Sequence, residues 1–157
     1  HMAGYAMVEA LRHLNVETVA LNAAYHWPDW WQGTVGFLQE AGFTVRWAGN
    51  FHDQGWLESQ DAVNACRWIF DGDLAERSFA YVSEQAPEAD AYLINGMCNF
   101  RSGPGGLPQR PLHLTRALEA LTGKPVIGHD TALYWRIFKD LGLSPTGSHG
   151  TLLDTLS

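Results

Sequence analysis

Cysteine is nearly absent from this chain of 157 residues: there are two, Cys66 and Cys98, too few for a disulfide scaffold. Both read as free thiols of a reducing compartment, which points to a cytoplasmic protein. Charge is also sparse, at 17% of residues, where an average globular domain has about a quarter. The 10 Lys and Arg are scattered and outnumbered by 17 Asp and Glu, for a formal net charge of −7. Without a basic stripe, nucleic acid is not the expected partner. No apolar run approaches the ~20 residues that a membrane-spanning helix needs. The 7 His show no HxxxH or HxH spacing and no CxxC occurs, so no metal site is expected. Gly103-Pro-Gly-Gly106 lacks the Lys of a phosphate loop, and Pro104 removes an amide that a phosphate would need. Ser148-His149 has no nucleophile elbow around it.

What the chain has instead is 46% apolar residues, 12% aromatic ones and 7 Trp, the makings of one packed domain over residues 1–157. His1-Met2 reads as a cloning scar. Met7, Val8, Leu11 and Leu14 form one stripe of an amphipathic helix. Only Ala3-Gly4 precedes it, with no capping residue, so a chain cut from a longer one is the expectation. A buried strand follows at Glu17–Leu21, then a helix from Pro28 to about Ala41 and a second strand at Phe43–Trp47. Helical patterning runs from about Ser59 to Phe70, and Asp73 is the expected N-cap of a helix reaching Gln85. A third strand at Ala91–Ile94 opens into a Gly- and Pro-rich loop from Asn95 to about Pro111. A helix over about 112–121, a short fourth strand at Pro125–Ile127 and a last helix capped by Asp130 complete the pattern. The tail, 144–157, reads as loop with a final turn.

Strands alternating with helices predict an α/β fold: a flavodoxin-like three-layer αβα domain with a four-stranded parallel sheet in the order 2-1-3-4. Ligands of such sheets bind beyond the carboxyl ends of the strands where the strand order reverses, here between the first and third strands. Two loops are therefore the candidate site, 22–28 and 95–101. The first strand leads into Asn22-Ala-Ala-Tyr25 rather than into glycines, which argues against a dinucleotide site.

Cys98 lies in Asn95-Gly-Met-Cys-Asn-Phe-Arg101, past a strand end and close to Arg101, a setting that lowers a thiolate pKa. A small buried hydrophobe is the competing role. Cys66, between Val63 and Phe70, reads as packing. Tyr25 and His26 occupy the other rim, as donor and acid or base, or as aromatic closure of the core. Adjacent Trp30 and Trp31 cannot both face one core, so one of them faces a partner, substrate or solvent. Nine acids and two Arg between Asp53 and Asp90 read as a solvated face. Arg101, Arg110, Arg116 and Lys124 against Glu119 suit a carboxylate ligand, and equally an ordinary surface.

These residues, in this order, resemble the Asp/Glu racemase superfamily, specifically its maleate cis-trans isomerase and arylmalonate decarboxylase branch. The resemblance is carried by Met7-Val-Glu-Ala-Leu-Arg-His-Leu14 ahead of Val19-Ala-Leu21, then Ala24-Tyr25, and Cys98-Asn-Phe-Arg101 after Ala91-Tyr-Leu-Ile94. Leu121-Thr-Gly-Lys-Pro-Val-Ile127, Thr131-Ala-Leu-Tyr-Trp135 and the glycine-containing ending from Gly147 to Leu153 extend it over nearly the whole chain. The stretch from Arg101 to Pro111 is longer than the family's. Its Ser-Ser-Asn-like segment is Gly128-His129-Asp130 here, and Ser148-His149 stands where an aromatic is common.

Members of that family carry a second, similar lobe ahead of this one, with the site between the lobes. The resemblance therefore implies half a site: Cys98 and Tyr25 as catalytic residues, with Asn22, His26, Asn99, Arg101 and His129 about a small carboxylate substrate. A thiol moving a proton beside a carboxylate, with donors to the enediolate, needs no cofactor. The missing lobe, or a second copy of the chain, is the expected partner, and the chain alone is expected to be inactive. Two other roles stay open. One is a small-carboxylate-binding domain that has lost catalysis; the other is a flavodoxin-like interaction module using its Trp-rich corner.

Overall fold

Short runs of β-branched and apolar residues alternate with amphipathic stretches, and burial of both kinds of face makes a parallel sheet between two helical layers. A computed structural model describes residues 2–96, 99–101 and 106–157. Helix α1 (Ala3–His13) leads into β1 (Thr18–Ala24), and α2 (Pro28–Glu40) into β2 (Thr44–Asn50). Helix α3 (Gln60–Ala65), strand β3 (Ile69–Asp71) and helix α4 (Gly72–Gln85) precede β4 (Ala91–Ile94). Strands β5 (Asn99–Arg101) and β6 (Pro108–Gln109) are followed by α5 (Pro111–Thr122), β7 (Val126–Gly128), α6 (His129–Leu141) and α7 (Thr151–Asp154).

The main sheet has the order β2-β1-β4-β7, and every pairing in it is parallel. This is the expected 2-1-3-4 arrangement. The period of two along β1 divides the interior into two cores. Val19 and Leu21 join Leu11 of α1, Leu38 of α2 and Trp135 of α6 on one face. Ala20 and Ala24 join Phe79 of α4 and Leu118 of α5 on the other. Trp31 packs against the first core while Trp30 stays 61% exposed, so the adjacent pair does divide between interior and surface. All nine acids between Asp53 and Asp90 are exposed.

Four details differ from the sequence expectation. The helical pattern toward Phe70 ends at Ala65, because Arg67 and Trp68 adopt left-handed backbone (φ 48 and φ 64) and turn the chain into β3. Strand β3 pairs with β5, and β5 with β6, in a second small sheet whose β5 and β6 lie within what the sequence presents as a loop. Helix α4 begins at Gly72 with Asp71 at its N-cap, and Asp73 instead pairs with Arg77 at 3.3 Å. Asp130 lies inside α6, where its carboxylate accepts from the amides of Thr131 and Leu112.

Strand β4 is fixed against β1 at its start. Asp90 accepts from the amides of Glu17 (3.0 Å) and Thr18 (2.8 Å) and from the Thr18 hydroxyl (2.8 Å). These donors, led by the Thr18 amide, hold the Asp90 carboxyl below its ordinary range. Lys124 donates to the carbonyls of Pro87 and Ala89 just before this strand. It thus sits at the entry edge of the sheet rather than beside the candidate loops.

Candidate functional site

Strand β1 ends in a turn made by an unusual residue. Ala24 has φ 51, a left-handed conformation that costs a non-glycine residue about 1–2 kcal/mol. Asn22 Oδ1 accepts the Ala24 amide at 3.1 Å. The register against β2 shifts between Asn22 and Ala24, and the next residues, Tyr25 and His26, clear the carboxyl edge of the sheet. Their backbone carbonyls are held from two other elements: Gln60 Nε2 of α3 donates to Tyr25 at 3.3 Å, and Asn50 Nδ2 of β2 to His26 at 2.8 Å.

The side chains form a layered aromatic group. The rings of Tyr25 and His26 lie 4.4 Å apart, and His26 stacks on Trp30 at 5.5 Å with only 10° between planes. Tyr25 stacks on Phe70 of β3 at 6.4 Å. Tyr25, His26, Trp27, Trp30, Asn64 and Trp68 line an open cavity of about 190 Å³.

Strand β4 brings the opposing rim. Gly96, just past its end, has φ +91. A Cβ there would lie 2.7 Å from His26 Nε2 and 2.8 Å from Tyr25 Oη, so glycine is required both for the backbone and for the space. The Gly96 amide donates to His129 Nδ1 at 3.1 Å. With its Nδ1 an acceptor, His129 carries its proton on Nε2. Burial lowers the His129 pKa, and the nearby Asp130 carboxylate opposes this only in part. His26 is pulled down to about 4, by burial first and then by His129. Both imidazoles are therefore neutral at pH 7, each with one donor and one acceptor. A phenol and two neutral imidazoles can hydrogen-bond a developing oxyanion without placing a fixed positive charge beside it.

Tyr25, His26 and His129 thus converge on Gly96. The other sequence candidates are placed differently. Asn22 is 1% exposed, and its side chain is engaged inside the domain. Asn22 Nδ2 donates to Ser78 Oγ (2.5 Å), Ser78 Oγ to Gln54 Oε1 (2.6 Å), and Gln54 Nε2 back to Asn22 Oδ1 (3.2 Å). This closed ring joins β1, the turn after β2 and helix α4. Asn99 and Arg101 are half-buried in the second sheet, where the Asn99 amide reaches Trp68 O and Arg101 Nη1 reaches Gly106 O. Cys98 lies outside the described residues. Cys66 ends α3, half-buried, with its thiol donating to Ala62 O at 3.4 Å and its pKa raised by burial.

Sequence reasoning gives no role to Gly96, Asn50 or Gln60, while it does set Trp30 apart. Gly96 carried a signal, as a glycine immediately beyond a buried strand at the point of strand reversal. Asn50 and Gln60 are ordinary polar residues whose tasks appear only once the turn at Ala24 is formed.

The arylmalonate decarboxylase family matches residues 2–153. The chain belongs to the arylmalonate decarboxylase family. Its fold is similar to a crystal structure of arylmalonate decarboxylase, with TM-score 0.71 and 21% identity over 97% of this chain and 58% of that one. It is also similar to the maleate isomerase Iso from Pseudomonas putida S16, with TM-score 0.70 and 20% identity over 99% of this chain and 55% of that one. Nocardia farcinica maleate cis-trans isomerase bound to TRIS gives TM-score 0.62 and 23% identity, over 100% of this chain and 57% of that one. At these identities the likeness is one of fold. The chain spans little more than half the length of these solved structures. No curated protein matches it in sequence.

Among the described residues of this family member, no helix is long and apolar enough to cross a membrane.

Proposed function

We propose that this chain contributes one lobe of a cofactor-independent enzyme, a decarboxylase, isomerase or racemase, that acts on a small carboxylate. Cys98 is the acid/base thiol in this reading. In a decarboxylation the bond from the α-carbon to the departing carboxylate breaks, carbon dioxide leaves, and the electron pair remains as an enediolate. The Cys98 thiol then gives its proton to the α-carbon, and the resulting thiolate regains one from water. Tyr25 donates to the enediolate oxygen, while His26 and His129, both neutral, supply further hydrogen bonds without trapping the product as an ion pair. The second lobe of a longer chain, or a partner copy, completes the site, and the cytoplasm suits the free thiols.

The observation that supports this reading is the convergence of Tyr25 Oη and His26 Nε2 on Gly96, two positions before Cys98 in the chain. The test is the pH dependence of alkylation at Cys98, resolved from Cys66 by peptide mapping. Cys98 is expected to react as a thiolate well below the ordinary thiol pKa of about 8.5. Cys66, raised by burial, is the slow control. Two ordinary thiols would sink the prepared-thiol reading and favour a carboxylate-binding domain without catalysis. Isolated, the chain is expected to turn over little maleate, arylmalonate or chiral amino acid. Robust turnover would overturn the half-site.

A further inference from the structure

On the face of the main sheet opposite α4, a cavity of about 330 Å³ opens between α1 and α2. Met7 of α1, Trp30 and Phe37 of α2, and Leu21 and Leu93 of the strands make its walls apolar. Asn95 and His129 lie among its lining, and among the described residues no Lys, Arg, Asp or Glu does. Cavities of this size and character, mostly apolar with a few placed polar groups, are the usual form of small-molecule sites.

Two independent features mark it as built to be filled. The first is Asn95. It is 1% exposed, and its Oδ1 has no hydrogen-bond partner among the described residues. The orientation of the amide is fixed by its neighbour. Thr34 Oγ1 donates to Trp30 O at 3.4 Å and so accepts from Asn95 Nδ2 at 3.2 Å, which leaves Oδ1 as the unpaired acceptor. An orphaned buried acceptor is costly, and a donor from the cavity is what would satisfy it. The second is Gly33, which also lines the cavity. It sits inside α2, where glycine weakens a helix relative to alanine. Yet a Cβ built there meets nothing within 4 Å, so no packing within this chain calls for the missing side chain.

His129 supplies the complementary group. Its Nδ1 accepts from Gly96, so its remaining polar atom is Nε2, a donor. We propose that this cavity is a binding site for a small uncharged ligand, an aromatic-sized hydrocarbon bearing a hydroxyl, which donates to Asn95 Oδ1 and accepts from His129 Nε2. A hydroxyl does both at once. A carboxylate is disfavoured, because it presents only acceptors to Asn95 Oδ1 and finds no cation in the lining. The proposal does not rest on the catalytic reading, although His129 and Trp30 take part in both sites.

The probe is benzyl alcohol, with toluene and benzoate as matched ligands lacking the donor or carrying a charge. Binding is read from backbone amide shifts of Gly33 and Asn95 and from the Trp30 indole resonance, in the full chain with its thiols alkylated. Alkylation keeps this outcome separate from that of the proposed chemistry. Benzyl alcohol is expected to move these resonances saturably, and toluene and benzoate to bind roughly tenfold more weakly, the worth of one buried hydrogen bond. Gly33→Leu, which places a side chain in the open space, should abolish binding while the melting temperature is kept. Gly33→Ala should weaken binding and serves alone if the larger variant does not fold. The proposal fails if benzyl alcohol moves none of these resonances. It fails equally if the Gly33 variants bind as the parent does, or if toluene or benzoate binds as tightly as the alcohol.

Discussion

Gly96 donates its backbone proton to His129 Nδ1 at 3.1 Å, so the first residue of α6 holds the exit of β4. The bond places one neutral imidazole against the backbone at the position toward which Tyr25 and His26 point from the other rim. Three elements distant in sequence thereby share a single glycine.

Gly96→Ala should therefore be costly. The methyl group meets a left-handed backbone and the polar ends of two side chains at once. A destabilisation of about 2–3 kcal/mol is expected, measured as a lower urea midpoint. Gly33→Ala is the matched control. Its helical position is open, and it should gain about 0.5–1 kcal/mol. Equal effects of the two substitutions would refute the argument.

His26 ties stability to pH. Its native pKa of about 4 lies below its ordinary 6.5. Between these values the unfolded chain binds more protons than the folded one. Its contribution is thus complete above pH 6.5 and lost as the pH falls toward 4. Because the ring is only half-buried, solvent screening limits this to about 1 kcal/mol. Urea denaturation of His26→Gln from pH 7 to 4 should give a flatter profile than the parent.

The ring of Asn22, Ser78 and Gln54 predicts strong coupling. Asn22→Ala strands Gln54 Nε2 and the Ala24 amide in the interior and takes one of two partners from Ser78 Oγ, at a cost of about 2–4 kcal/mol. Ser78→Ala should cost less, and the double variant less than the sum, with a coupling of about 1 kcal/mol. Additive losses in a double-mutant cycle would show that the ring does not act as a unit.

At the entry edge, Asp90→Ala removes the acceptor of three donors and should cost roughly 1 kcal/mol at neutral pH. The Asp90 carboxyl is held below its ordinary 3.8, so its contribution is present above that value and disappears as acid protonates it. Parent and variant midpoints should converge in that range. A gap that persists at low pH would assign the effect to packing.

The alternation of elements was enough to foresee the sheet order, and with it the two loops that face each other. The placing of Tyr25 and His26 at the rim is legible because they follow β1, and that of His129 because it follows β7. The ring of Asn22, Ser78 and Gln54 is not legible, because at a strand end an amide serving the fold and one serving a ligand look alike in sequence. The second sheet that holds Asn99 and Arg101 is not legible, because three-residue strands lack the length to show a period, and Val63 to Phe70 keeps helical spacing across a break made by Arg67 and Trp68. Neither of those residues announces a left-handed turn, as glycine would.

The pairing of β1 with both β2 and β4 also sets an order of assembly. Joining β1 to β2 closes only the short loop through α2, whereas the Asp90 contact with Thr18 spans 72 positions. Longer closures carry the greater entropic cost and form later. The Asn95 amide, which reaches Asn22 O at 2.8 Å, completes that long closure. In pulse-labelled hydrogen exchange during refolding, Asn95 and Gly96 should gain protection after the amides of β1 and β2. The rim formed by Asn95 and Gly96 would then be the last part of the domain to become native, and the first to open when native structure is lost.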